Sequence, residues 1–156
     1  MRDTVGIRRE IIDARTVLLS ADGCSFTYRR LKPGVLLMVI DGDDLGQFGT
    51  ATQDEVNAEY ERFGTVSLFV DTRAAQGPAT EVMEAWTAFF SANRKKFKRV
   101  AVLSLPESKL LHLTVKIVQH LSGVGGLFQI VGDAETFEAA IRQEVPKYSS
   151  SALPQA

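Results

Sequence analysis

Cysteine is almost absent from this chain: among 156 residues only Cys24 occurs, which excludes an internal disulfide framework and a zinc site built from several thiolates. An excess of one charge is lacking as well. Eighteen basic against nineteen acidic side chains leave a formal net charge of -1, so no global field favours nucleic acid or an anionic membrane as a partner. No apolar run approaches the roughly 20 residues of a membrane span, and mean hydropathy is -0.01. The opening MRDTVGIRREIIDAR alternates charge and apolarity without the apolar centre of an export signal. With one unpaired cysteine, these features predict a cytoplasmic location. Length and a 45% hydrophobic content predict a single domain over 1–146 with its core at about 35–145. KYSSSALPQA, small and polar with no amphipathic period, predicts a flexible tail over 147–156.

What is present is a regular change of hydrophobic period. Thr16–Ser20 and Ser25–Leu31 flank the turn Ala21-Asp22-Gly23 and read as an antiparallel hairpin. After Lys32-Pro33-Gly34, the apolar run Val35–Ile40 reads as a strand covered on both faces. RREIIDAR, ahead of the hairpin, is compatible with a short helix or a further edge strand. From there helices and strands alternate. Thr52 and Glu55 have capping-box spacing for a helix to about Phe63, with Val56, Tyr60 and Phe63 on one stripe. Val66–Val70 follows as a strand. Pro78 sits in the first turn of a helix running to about Lys95, with Val82, Trp86, Phe89 and Phe90 facing inward. Val100–Leu105 is the next strand, and Ser104 with Glu107 suggests another capping box. Leu110, Leu111, Thr114, Ile117, Val118 and Leu121 form the next helical stripe, ended by Ser122-Gly123. Leu127–Val131 is a last strand. Asp133 caps a helix whose Phe137, Ala140, Ile141 and Val145 face inward before Pro146 stops it. The order predicts an α/β layer fold: a central mixed β-sheet with amphipathic helices behind an N-terminal antiparallel hairpin, its later strands parallel.

Over roughly Val35 to Glu144 these residues resemble the STAS domains of anti-sigma-factor antagonists, and in particular their SpoIIAA-like relatives. VLLMVIDGDDL is similar to that family's first core strand and its closing glycine, TVSLFVDTR to the strand ending in aspartate, FKRVAVLS to the next strand, and LFQIVGDAETFEAAI to the closing strand and helix. The resemblance implies a non-enzymatic regulatory module that binds a protein such as a kinase or an anti-sigma factor. In the family a serine in an Asp-Ser-Ser-Gly turn is phosphorylated at the start of the second helix. Here that stretch reads AAQGPATEVMEAW, which puts Thr80 about where the serine would be, without the flanking aspartate and glycine.

Elementary electrostatics points to the same turn, because a helix start presents unpaired N–H groups and about half a positive charge. Asp71, Thr72, Arg73, Gly77 and Thr80 are the candidate binding residues, Thr80 the candidate phosphorylation site. The plain structural alternative makes Thr80 a first-turn residue and Arg73 a solvated cation. Other motifs carry less. DGDDLG (Asp41–Gly46) lacks the glutamate of a calcium loop, Thr52 standing in its place. His112 and His120, two helical turns apart, cannot share one metal. Gly123–Gly126 precedes a strand and lacks the Gly-Lys pair of a phosphate loop. RKKFKR (Arg94–Arg99) suits a helix C-terminus or a docking patch. Asp54, Glu55, Glu59, Glu61, Glu81 and Glu84 read as solvated helix faces, and no serine has a nucleophile-elbow context. No catalytic residue, metal or cofactor is expected. A second class of function is a small-molecule or lipid carrier, with Trp86, Phe89, Phe90 and Leu111 lining an apolar cavity between sheet and helices.

Overall fold

The computed structural model describes residues 6–149. β1 (Arg8–Asp13), β2 (Thr16–Ala21), β3 (Cys24–Lys32) and β4 (Val35–Gly42) pair antiparallel, and β5 (Val66–Ala75), β6 (Phe97–Leu103) and β7 (Phe128–Val131) continue parallel from β4. The seven strands lie side by side in chain order. Their crossovers carry α1 (Ala51–Phe63), α2 (Thr80–Ala92) and α3 (Lys109–Ser122). Right-handed crossovers that always step in one direction place all three helices on one face. α4 (Ala134–Arg142), which follows β7, covers the other face over the parallel strands.

Strand alternation divides the core in two. Leu68, Val70, Val100 and Val102 point to the three-helix face and meet Val56, Phe89, Phe90, Leu111, Val115 and Val118. Leu37, Phe69, Ala101 and Leu103 point the other way and meet Phe137, Ile141 and Tyr148. Strands buried on both sides explain why β4, β5 and β6 are almost continuously apolar. The strands near Val35, Val66 and Val100 are neighbours, as their sequences predict. Gly42 closes β4 at φ 93°, and a Cβ there would collide with the Gly23 carbonyl.

RREIIDAR proves to contain the edge strand β1, every residue of which is exposed. Several predicted details are corrected. β5 runs past Val70 to Ala75, because the Asp71 carboxylate bonds Arg73 and the Thr72 hydroxyl donates to Leu103 O. A satisfied polar residue ends an apolar run without ending a strand. α1 starts one residue before Thr52, which is buried within it, and Thr50 stands at the N-cap position. α3 starts after Ser108, not with a Ser104–Glu107 box, since Ser104 is fully buried against His112. Asp133 caps α4 as expected, accepting from Thr136 N at 2.7 Å. Of the stripe expected on α3, Leu111 and Val118 are buried, but Leu110 and Leu121 point to solvent. Trp86 is only half-buried, packed on Phe89 and Phe90. α2 ends at Ala92, and RKKFKR is divided by the buried Phe97. Lys96 lies over Tyr60 and donates to Asn57, whereas Lys98 and Arg99 reach Glu144 under the opposite face. Packing also continues past Pro146 to Tyr148, which is buried in the second core, and 150–156 of the expected tail lie outside the described residues.

Glu59, expected to be solvated, is 4% exposed. Arg30 grips it through Nε and Nη2 at 2.9 to 3.1 Å, and Gly34 N donates to the same carboxylate at 3.2 Å. Glu55 is likewise held by Arg9 at 2.7 Å. Arg30 thus joins β3 to α1, with its guanidinium also 4.7 Å over the Phe63 ring. Removing one partner of a buried pair strands the other charge, at a cost of about 3 kcal/mol or more. Urea unfolding of Arg30→Met should show a loss of about 3 kcal/mol, and Glu59→Gln a smaller one because Gly34 keeps an acceptor. Wild-type stability in Arg30→Met would show that the pair contributes nothing.

Candidate functional site

Two backbone hydrogen bonds anchor the start of α2. Gln76 N donates to Gly42 O at 2.9 Å, and Ala79 N to Asp44 O at 3.1 Å, tying the turn to the loop that leaves β4. Gly77 lies beside the Leu110 side chain at the start of α3. Ala79 occupies the N-cap in an extended conformation and has no side-chain oxygen to accept the first amides. Thr80, the first helical residue, is exposed. Leu45 on one side and Leu110 on the other are also solvent-facing, 64% and 73% exposed.

The five residues expected to meet here do not all do so. Gly77 and Thr80 belong to the turn, and Thr72, half a strand below, faces the same three-helix side. Asp71 and Arg73 point to the α4 side, where the charges that act on Arg73 and Tyr148 include Glu138. Arg73 Nη2 donates to Asp71 Oδ2 at 2.7 Å and Nε to both carboxylate oxygens at 3.1 and 3.3 Å. Its guanidinium pKa is raised by that hydrogen bond. A strand alternates faces, so residues 71 and 73 cannot share a side with 72. The cation expected to greet an anion at Thr80 is therefore committed elsewhere, and the spacing along the sequence concealed this because β5 continues farther than its apolar run.

Asp44, met in the sequence only as part of the DGDDLG loop, turns out to be buried. It is 7% exposed, and its Oδ1 accepts from Gly46 N at 3.1 Å. Burial raises its pKa, partly offset by that bond. The DGDDLG loop is thus held by its fourth residue pointing inward; among the described residues no cluster of three histidine, cysteine or acidic side chains is set to hold a metal. Cys24, buried nearby, has its thiol pushed up to about 12, first by burial and then by Asp44, Asp41 and Asp43. It is a protonated core residue at neutral pH.

Two further arrangements emerge only in three dimensions. Ser104 Oγ and His112 Nδ1 are 2.9 Å apart, but the serine has no exposed surface, so the pair straps the β6–α3 turn and offers no nucleophile. Between the sheet and α2–α3 lies an apolar cavity of about 100 Å³ whose lining includes Trp86, Phe90, Leu111 and, at its edge, Asp44 and Thr72. Phe89, expected in that lining, packs on Phe97 instead.

No protein-family model and no curated protein matches the sequence. Among solved structures, the crystal structure of an anti-sigma factor antagonist from Mycobacterium paratuberculosis is similar, with a TM-score of 0.50 and 14% identity, covering 79% of this chain and 97% of that one. The likeness establishes the fold: a mixed seven-stranded sheet with four helices, matching an anti-sigma factor antagonist. No helix among the described residues is long and apolar enough to cross a membrane.

The buried acid gives a test of the loop that supports α2. A carboxyl whose folded pKa is raised is most costly when ionised, so stability is lost as pH rises from below its unfolded value to above its folded one. Asp44→Asn keeps the acceptor for Gly46 without that charge. Its urea midpoint should exceed wild type at pH 7, and the gain should shrink as pH falls through the acidic range. A lower midpoint at pH 7 would mean that the ionised carboxylate holds the loop.

Proposed function

We propose that this chain is a non-enzymatic regulatory module that binds a protein partner through the surface around the start of α2. The observation that carries the reading is the pair of exposed leucines, Leu45 and Leu110, standing on either side of Thr80 and the 76–79 turn. Large apolar side chains at the surface lose solvent only when a partner covers them. The turn is anchored by backbone bonds to Gly42 and Asp44, so the surface is held ready and little ordering accompanies contact. An anti-sigma factor antagonist of the same fold supplies a precedent for regulation, and a kinase or anti-sigma factor is the partner class that fits it. Thr80 adds a control point. A phosphate there would carry about -1.5 to -2 charges, favoured by the helix start and repelled by an acidic partner group.

A second reading, a carrier of a small apolar molecule, is favoured by the cavity beneath Trp86 and Phe90. Its volume of about 100 Å³ is below the roughly 300–1,000 Å³ of drug-sized ligand pockets, which ranks this reading second.

Affinity purification from the source organism, followed by mass spectrometry, tests the main reading. Wild type should retain a defined protein that Leu45→Glu/Leu110→Glu loses, with the two proteins melting within a few degrees of each other. Thr80→Glu should reduce the same retention, and Thr80→Ala should preserve it. Equal retention by wild type and the double leucine variant would remove this surface from recognition, and release of a small apolar molecule on denaturation would favour the carrier.

A further inference from the structure

α3 carries a second apolar stripe that the core does not use. Leu111, Val115, Val118 and Ser122 face inward, whereas Leu110, Leu113 and Leu121 are 73%, 54% and 62% exposed and Ile117 is half-buried between them. At 3.6 residues per turn, positions 110, 113, 117 and 121 run along one flank of the helix for about 16 Å. Among the described residues no other helix exposes a large apolar side chain.

The charge of this helix has one sign. KLLHLTVKIVQHLS contains two lysines and no carboxylate, and Lys109 and Lys116 form no salt bridge among the described residues. Glu107, in the turn ahead of the helix, is the acid nearest in sequence, and Glu81 of α2 lines the depression shared with Leu45 and Gln47. At the upper end of the stripe Gly77 puts no side chain beside Leu110, which leaves the approach open along the turn.

We propose that α3 seats an amphipathic helix of a partner protein whose apolar stripe is flanked by Asp or Glu. The inference rests on the recognition surface proposed above and extends it from Leu110 to Leu121. Spacings of three and four residues are those by which one helix anchors on another. Carboxylates on the incoming helix complement Lys109 and Lys116, and complementary charge raises both association rate and specificity. A second copy docked α3 on α3, parallel or antiparallel, offers lysines and no carboxylate to Lys109 and Lys116. An anionic membrane surface is the poorer match, because the stripe has two flanking lysines and no aromatic residue at the interface.

Selection from a random library of 16-residue helical peptides displayed against the full chain tests the assignment. Enriched peptides should carry apolar residues at i, i+3 and i+7 with Asp or Glu beside them. Leu113→Glu and Leu121→Glu should each weaken binding by about tenfold or more, and Lys109→Glu/Lys116→Glu should weaken it and invert the preference toward basic flanks. Both leucine positions are exposed, so circular dichroism and melting should match wild type. Enriched peptides that ignore these substitutions but lose binding with Leu45→Glu or Thr80→Glu would overturn the α3 assignment and keep the recognition surface. Peptides insensitive to all of them would overturn both. Cosedimentation with phosphatidylglycerol vesicles that depends on Leu113 and Leu121, with no such dependence among peptides, would overturn the protein partner in favour of lipid.

Discussion

The right hand of the crossover between parallel strands is the constraint from which the rest of this molecule follows. β4 to β7 are added in chain order and always in the same direction, so each connecting helix is delivered to the same face. That face receives three helices and most of the aromatic core; the opposite face receives only α4. The two faces consequently do different work. One is thick and places α2 and α3 next to each other at the surface. The other is thin, closed by Phe137 and Ile141 over Phe69 and Leu103, and pinned at its end by Glu144 against Ser67, Lys98 and Arg99.

A sheet that separates two faces also separates charges. Asp71 and Arg73 neutralise each other beneath α4, while Thr72 donates to Leu103 O on the three-helix side. The turn at Gly77–Thr80 is left with backbone amides, an exposed threonine and flanking leucines. The recognition proposed for this turn would rest on shape and apolar contact more than on a fixed cation. Arg30 and Glu59 play the converse part: their bidentate contact joins the hairpin to α1 away from this turn.

The fold was largely legible because its signals are physical periods. Continuous apolar runs at Val35, Val66 and Val100 marked doubly covered strands, and Asp133 marked its helix by direct hydrogen bonding. Boundaries were less legible. Ser104–Glu107 and Thr52–Glu55 have the spacing of a capping box, but their side chains found partners farther away in sequence: His112 for Ser104 and Arg9 for Glu55. The candidate site was half legible. Its location at the start of α2 was readable from Pro78 and the helical period, but the division of Asp71 and Arg73 from Thr80 required knowing that β5 continues to Ala75. The exposure of Leu110 and Leu121 was hidden for a related reason: α3 is apolar on two flanks, and a period alone does not say which flank meets the sheet.

Strand order has one more consequence, for synthesis. Each strand pairs with the one made just before it, and the largest separation between neighbouring strands is a single helix and its turns. A chain leaving the ribosome can therefore extend its sheet stepwise, with no early strand waiting unpaired for a distant partner. Among the described strands the hairpin end is made first, while the growing edge passes from β4 to β7 as each helix closes over the strands behind it. α4 comes last of the described elements, on the face left open by the other three helices, and its Phe137 and Ile141 cover apolar strands there. Until α4 docks, the apolar residues of that face stand open to solvent, and in that interval aggregation competes with folding.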